Sequence, residues 1–167
     1  MLSPVLDRWP LFALVASGAM LAIAHAFQSF GGLAPCELCL KQRAVYWVAA
    51  AIAALALVAV RAPGGLRLRR ASGWVLALVF LVGAGVAAYH AGAEWKFWPG
   101  PASCSGGGTV TVAALKDLMN GGGVTMPACD KPAWVFLGVS MAGWNVVASL
   151  ILTGLSAAAA AREGTPA

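Results

Sequence analysis

Apolar residues run along this chain in four long blocks, separated by stretches where glycine, proline and charged residues collect. The blocks cover residues 11–27, 44–60 ("AVYWVAAAIAALALVAV"), 73–90 ("GWVLALVFLVGAGVAAYH") and 134–155, the last running on into an alanine tail. A helix needs about 20 mostly apolar residues to cross a hydrocarbon core about 30 Å thick, and each block is of roughly that length. None carries a charge in its interior, and Trp9, Trp47, Trp74 and Trp134 fall near the expected ends, where amphipathic rings settle at the headgroup layer. The pattern therefore predicts an all-α membrane protein, a single integral domain over 1–167 built as a four-transmembrane-helix bundle. Alanine and glycine in "VGAGVAA" and "GVSMAG" let the helix backbones approach closely.

Composition supports the same class. The 167 residues are 60% hydrophobic and only 10% charged, whereas a soluble domain is about half apolar and a quarter charged. A net charge of +5 raises nucleic acid as a partner, but no basic face interleaved with aromatics is present, which removes it. Arg61, Arg67, Arg69 and Arg70 instead gather in the linker 61–72, and arginine between two spans marks a cytoplasmic loop. Both termini are then cytoplasmic, and 28–43 and 91–133 are outer loops. The charges of the long loop, Glu94, Lys96, Lys116, Asp117, Asp130 and Lys131, cancel. Lys41 and Arg43 run against the rule and call for a reason of their own.

Ala24-His25-Ala26, with Arg8 upstream, has the small-x-small form of a signal-peptidase site. The run before it is long for a signal, and cleavage would send the arginine loop outward, so four spans is the better reading. In the long outer loop, Val112, Leu115, Leu118 and Met119 recur at helical spacing between glycines. They predict a short amphipathic helix, lying on the membrane surface or packed on the bundle.

Cys36, Cys39, Cys104 and Cys129 are the only cysteines, and all lie in the two outer loops. Three readings compete. Structural staples suit a long loop but suit Cys36–Cys39 poorly, because a helix already anchored in a membrane gains little from so small a ring. Zinc would favour paired C-x-x-C knuckles, and only one is present. Redox exchange fits "PCELCLKQR" (Pro35–Arg43): C-x-x-C on the first turn of a helix puts both sulfurs on one face, at the end where the dipole favours a thiolate. Pro35 suits the helix start. Arg43, one turn beyond Cys39, places a fixed cation where negative charge must appear.

With these residues in view the chain resembles the bacterial disulfide-bond formation protein B (DsbB) family over nearly its whole length. The likeness is carried by Gln28, by Pro35–Arg43, by "YHAGAEWKFWPGPASC" ending at Cys104, and by "PACDKPAWVFLGVSMAGWN" from Pro127 to Asn145. It implies an inner-membrane enzyme that reoxidises a periplasmic DsbA-type thiol oxidase and passes the electrons to a membrane quinone, ubiquinone or menaquinone; this relay is general knowledge for the family. It further implies that Cys104 is attacked by the partner, that Cys129 then exchanges at Cys36, and that Cys39 faces the quinone with Arg43 and Gln28 beside it. A DsbA-type partner sits near about −120 mV, so something more oxidising must lie downstream. No flavin fingerprint or haem-attachment motif is present, which leaves a lipid-soluble quinone as the sink.

The other polar residues are read more plainly. His90, ending the third block, lies either near the quinone or at the interface with its tip hydrated. His25 reads as an interfacial residue, Glu94 and Lys96 as loop charges, Trp95 and Trp98 as membrane anchors, and Asn145 as a hydrogen bond to a neighbouring helix. Two alternatives stand beside this reading. A vitamin K epoxide reductase-like quinone reductase has the loop pair before the C-x-x-C, the reverse of the order here. A non-catalytic scaffold with structural disulfides leaves Arg43 unexplained.

Overall fold

Hydrocarbon offers backbone N–H and C=O groups no partner, so apolar stretches close their hydrogen bonds within helices. The computed structural model describes residues 3–59, 65–101, 119 and 129–162. A short α1 (Ser3–Asp7) leads into α2 (Trp9–Ser29), followed by α3 (Glu37–Ala59), α4 (Gly65–Glu94), a small hairpin of β1 (Val135–Phe136) and β2 (Val139–Ser140), and α5 (Met141–Arg162). Four helices, α2, α3, α4 from Arg67 and α5, are long and apolar enough to cross a membrane. The protein is a four-helix membrane bundle, as its hydrophobic pattern predicts.

α4 makes the most extensive contacts, against α5, while α3 packs between α2 and α4. Ala49 and Ala53 of α3 are fully buried against Leu76 and Phe80 of α4. Small residues set how close these helices come. A Cβ on Gly83 would stand 2.9 Å from Val45 Cγ1, and one on Gly73 would stand 2.9 Å from Ala160 Cβ. The outward faces carry Val15, Leu55, Val58, Leu78 and Ile151, all exposed, as a lipid-facing surface requires.

Three details differ from the hydrophobic pattern. The fourth helix begins at Met141 rather than near Trp134, because 135–140 pair as a hairpin, Val135 with Ser140 and Phe136 with Val139. Its two-residue turn, Leu137 (φ 52°) and Gly138 (φ 76°), has the positive φ values that twist-matched hairpins need. α4 starts at Gly65 and ends at Glu94, so Arg67, Arg69 and Arg70 lie on a helix rather than in a loop, and His90 lies one turn inside its far end. Trp9 is no interfacial anchor: it is 2% exposed and its indole donates to Ser156 Oγ at 3.0 Å. The expected amphipathic helix over 112–119 lies outside the described residues, Met119 excepted.

Both ends of the long segment after α4 are tied together. Lys96 Nζ donates to Asp130 Oδ2 and to the Asp130 carbonyl, each at 2.6 Å. Trp98 folds back, its indole donating to the Tyr89 carbonyl at 2.9 Å while its ring stacks on Tyr89.

The close approach at Gly83 makes a prediction. Gly83→Val should destabilise the bundle by about 1–3 kcal/mol, the usual penalty of overpacking. Gly85→Ala, whose added Cβ meets nothing within 4 Å, should be neutral or stabilising. Denaturant midpoints in detergent measure both, and equal midpoints for the two variants would contradict the packing.

Candidate functional site

Cys36 immediately precedes α3 and caps it. Its carbonyl accepts from Leu40 N–H at 3.1 Å, and its sulfur accepts from Cys39 N–H at 3.3 Å, the place a serine or aspartate oxygen takes in an ordinary N-cap. Cys36 is therefore the cap rather than part of the first turn. The two sulfurs lie 2.7 Å apart, both free, a short side-chain movement from the ~2.05 Å of a disulfide. The hydrogen bond to Cys39, and then burial, push the Cys36 thiol well above the ordinary thiol range. The proton of the reduced pair thus stays on Cys36.

Arg43 is held from α2. One guanidinium nitrogen donates to Gln28 Oε1 at 2.5 Å and the other to the Ala24 carbonyl at 2.9 Å. Gln28 is exposed and meets the site through Arg43. Lys41 has a local reason: it pairs with Glu37 one turn earlier at 2.7 Å. His25 is exposed and stands apart from the site.

Behind the cysteines runs a chain of buried polar groups. His90 Nε2 is 3.6 Å from Cys36 Sγ, and its Nδ1 is 2.8 Å from Gln42 Nε2. Asn145 Nδ2 donates to Gln42 Oε1 at 2.5 Å, Tyr46 donates to Asn145 Oδ1 at 2.5 Å, and Ser149 Oγ lies 3.1 Å from Tyr46 Oη. Glu94, expected as a loop charge, is buried on the last turn of α4, with Oε1 3.7 Å from His90 Nε2 and a side chain only 4% exposed. Its Oε2 has no hydrogen-bond partner among the described residues. His90 resolves toward the site and away from the hydrated-tip reading: it is 4% exposed.

Gln42, Tyr46 and Ser149 had no place in the sequence reading, Glu94 only that of a loop charge, and Asn145 only a generic one. A signal was there: Gln42 and Tyr46, His90 and Glu94, and Asn145 and Ser149 are each four apart, so every pair lies on one helix face.

Cys129 is fully buried and disulfide-bonded. It clusters with Cys36 and Leu38, with Cys39 packed against them, so a cysteine of the long loop lies in one buried cluster with the C-x-x-C pair. Cys104 lies outside the described residues. Cys36, Cys39 and His90 also bring ligand atoms within 4.8 Å of one another. A tetrahedral zinc with Zn–S of about 2.3 Å holds its sulfurs about 3.8 Å apart, and the closer pair here is set for a sulfur–sulfur bond instead.

Against the cysteine pair opens a cavity of about 430 Å³, within the range of small-molecule sites. Met20, Ile23, Phe27 and Trp144 give it apolar walls, and Cys39, Gln42, Arg43, His90 and Glu94 line it with polar groups. The hairpin stands beside it, with Trp134 packed on Phe27 (centroids 5.2 Å apart) and stacked on Phe136. An apolar chamber with the Arg43 guanidinium held beside a cysteine pair suits a planar, largely apolar molecule bearing electron-rich oxygens.

Comparison with known proteins agrees with this geometry. The family described as "Disulfide bond formation protein DsbB" matches residues 7–159. Disulfide bond formation protein B of Aromatoleum aromaticum is 35% identical over 147 residues, covering 82% of this chain and 80% of that protein. That of Polaromonas naphthalenivorans is 35% identical over 155 residues, covering 88% and 87%. The Methylococcus capsulatus protein is 32% identical over 155 residues, covering 87% and 88%. No solved structure matches.

The asymmetry of the cysteine pair is testable by alkylation. With the C-x-x-C pair reduced, limiting iodoacetamide at neutral pH should modify Cys39 first, and Cys36 should follow only as the pH is raised, because only the thiolate reacts. Peptide mass spectrometry reads the order, and equal labelling at neutral pH would contradict the assignment.

Proposed function

The chain belongs to the disulfide bond formation protein B family, and on that premise we propose that it carries electrons from a soluble dithiol protein, through two cysteine pairs, to a quinone in the membrane cavity. It is a multi-pass membrane oxidoreductase of disulfide bond formation. The finer reading concerns the donor, the acceptor, the residues and the sidedness. The observation that carries it is the position of Cys39, between a buried loop cysteine's neighbour on one side and an apolar chamber containing Arg43 on the other.

The loop pair receives electrons first. A DsbA-type thiolate attacks Cys104, and Cys129 leaves as a thiolate. Cys129 then attacks Cys36 Sγ, which shares its buried cluster; the Cys36–Cys39 bond breaks and its electron pair stays on Cys39. Attack in this direction is favoured because Cys39 is the better leaving group, the pair's proton preferring Cys36. The donor's second thiolate then breaks the mixed disulfide, leaving as the donor's own disulfide and freeing the Cys104 thiolate. Cys104 attacks Cys129, Cys36 is released as a thiolate, and it closes on Cys39 as the pair gives up two electrons. The loop and helix disulfides are both restored, and two donor thiols have become one disulfide.

The residues of the cavity fit a quinone, which when bound supplies the sink for two electrons and two protons. Arg43, fixed by Gln28 and the Ala24 carbonyl, offers a cation whose donors already point in one direction, so little ordering is needed as charge develops. Apolar walls exclude water from the thiolate. Gln28 acts by holding Arg43. The arginines at the start of α4 argue for that end in the cytoplasm, which puts the cysteines at the periplasmic face. A scaffold with purely structural disulfides would not need a free sulfur pair against such a chamber.

Quinone reduction by the purified protein in detergent, with a reduced DsbA-type donor, tests the route. Wild type should form quinol and Cys39→Ser none; turnover by Cys39→Ser would sink the assignment. Arg43→Gln should lower kcat/KM for quinone about ten- to a hundredfold, the value of a lost charge-assisted hydrogen bond. It should leave mixed-disulfide formation with the donor unchanged.

A further inference from the structure

Polar side chains are scarce inside this bundle, yet five of them from three helices join in one line that ends at Cys36. Each link has a direction. Tyr46 Oη donates to Asn145 Oδ1 at 2.5 Å, since an amide oxygen can only accept. Tyr46 then accepts from Ser149, 3.1 Å away. With its oxygen taken, Asn145 presents its amide nitrogen to Gln42 Oε1. Gln42 in turn presents its own nitrogen to His90 Nδ1. A nitrogen that accepts carries no proton, so in neutral His90 the ring proton sits on Nε2.

That proton has two neighbours. Cys36 Sγ at 3.6 Å is within hydrogen-bonding range of a sulfur, while Glu94 Oε1 at 3.7 Å is beyond the range of an oxygen acceptor. His90 is thereby a donor aimed at Cys36, and with its Nδ1 occupied it has no lone pair free to act as a base there. We propose that Asn145, together with Gln42, is a positioning residue that fixes the Nε2–H tautomer of His90, so that the histidine stabilises the thiolate of Cys36 each time that sulfur is released. The inference rests on the reading in which Cys36 is the exchanging sulfur of its pair.

The chemistry explains why a membrane bundle keeps such a line. Cys36 is the sulfur whose charge is disfavoured, by its hydrogen bond to Cys39 and then by burial, yet it must leave as a thiolate once per turnover. Two donors meet it then: the Cys39 N–H at 3.3 Å and His90 Nε2–H. The first belongs to the helix cap and is always present. The second exists only in one tautomer, and a free imidazole interconverts between two. An Asn–Gln relay anchored by Tyr46 removes that freedom without placing a charge in the apolar interior.

The deciding readout is made on the resting protein, without donor or acceptor, so its failure leaves the electron route untouched. The chain has two histidines, and His25→Gln leaves His90 as the sole ring signal in ¹⁵N-histidine-labelled protein in detergent. We expect nitrogen shifts of a single Nε2–H tautomer in this background. Asn145→Leu, of similar size, should release the Gln42 amide and give averaged shifts of both tautomers. Tyr46→Phe, a milder change, should do so in part and guards against loss of folding in the first variant. Quinol formation should fall about ten- to a hundredfold in Asn145→Leu, as expected for losing a hydrogen bond to a charged group. An Nδ1–H tautomer in the His25→Gln background, or unchanged shifts in both variants, would overturn the proposal.

Discussion

A polar group inside an apolar bundle has to find another polar group, since neither lipid nor a leucine side chain will satisfy it. That constraint organises this molecule. Gln42 and Tyr46 from α3, His90 and Glu94 from α4, and Asn145 and Ser149 from α5 converge at one end of the bundle. Bonds of this kind each contribute about 0.6 kcal/mol in membranes, so their value as glue is small. Their value as orientation is larger, because a closed line of donors and acceptors permits few arrangements. The redox pair sits where that line ends.

Two environments then divide the labour of the cysteines. Cys36 faces inward, capping α3 and packed with the loop cysteine Cys129. Cys39, with Cys36 beside it, also lines the chamber whose walls come from α2, α3, α4 and α5. Sulfur chemistry needs an accessible thiolate, while delivery of electrons to a lipid-soluble carrier needs an apolar pocket, and one C-x-x-C at a helix start touches both. The Lys96–Asp130 clasp holds the residue next to Cys129 against the end of α4, which keeps the loop cysteine over the pair without burying a charge. Hydrogen bonding to Lys96 holds the Asp130 carboxyl below its usual range, so acid would open the clasp only below the ordinary aspartate titration.

Much of this was legible in the sequence. Hydrophobic length marked four spans, and the C-x-x-C with Arg43 marked the redox end, because these signals are local: about 20 residues for a span, eight for the motif. What escaped was non-local or set by chain reversal. Trp134 and Phe136 are as apolar as the helix that follows, so hydropathy could not separate the hairpin from α5; the positive φ values at Leu137 and Gly138 did. Glu94 looked like a loop charge because the charges around it are exposed, and only the packing of α4 against α3 and the hairpin buries it. Trp9 matched the interfacial pattern by position, yet Ser156, at the far end of the sequence, gave its indole a buried partner. Asn145 was visible as a polar residue within a span, but its place in a line needed three helices in register.

The central claim is that electrons cross between the two cysteine pairs at the contact of Cys129 with Cys36. The most direct measurement uses a chain carrying both Cys104→Ala and Cys39→Ser, purified in detergent, mildly oxidised and mapped by non-reducing peptide mass spectrometry. A Cys36–Cys129 disulfide within one molecule is the predicted product. Two free thiols, or links only between molecules, would contradict the contact and with it the route.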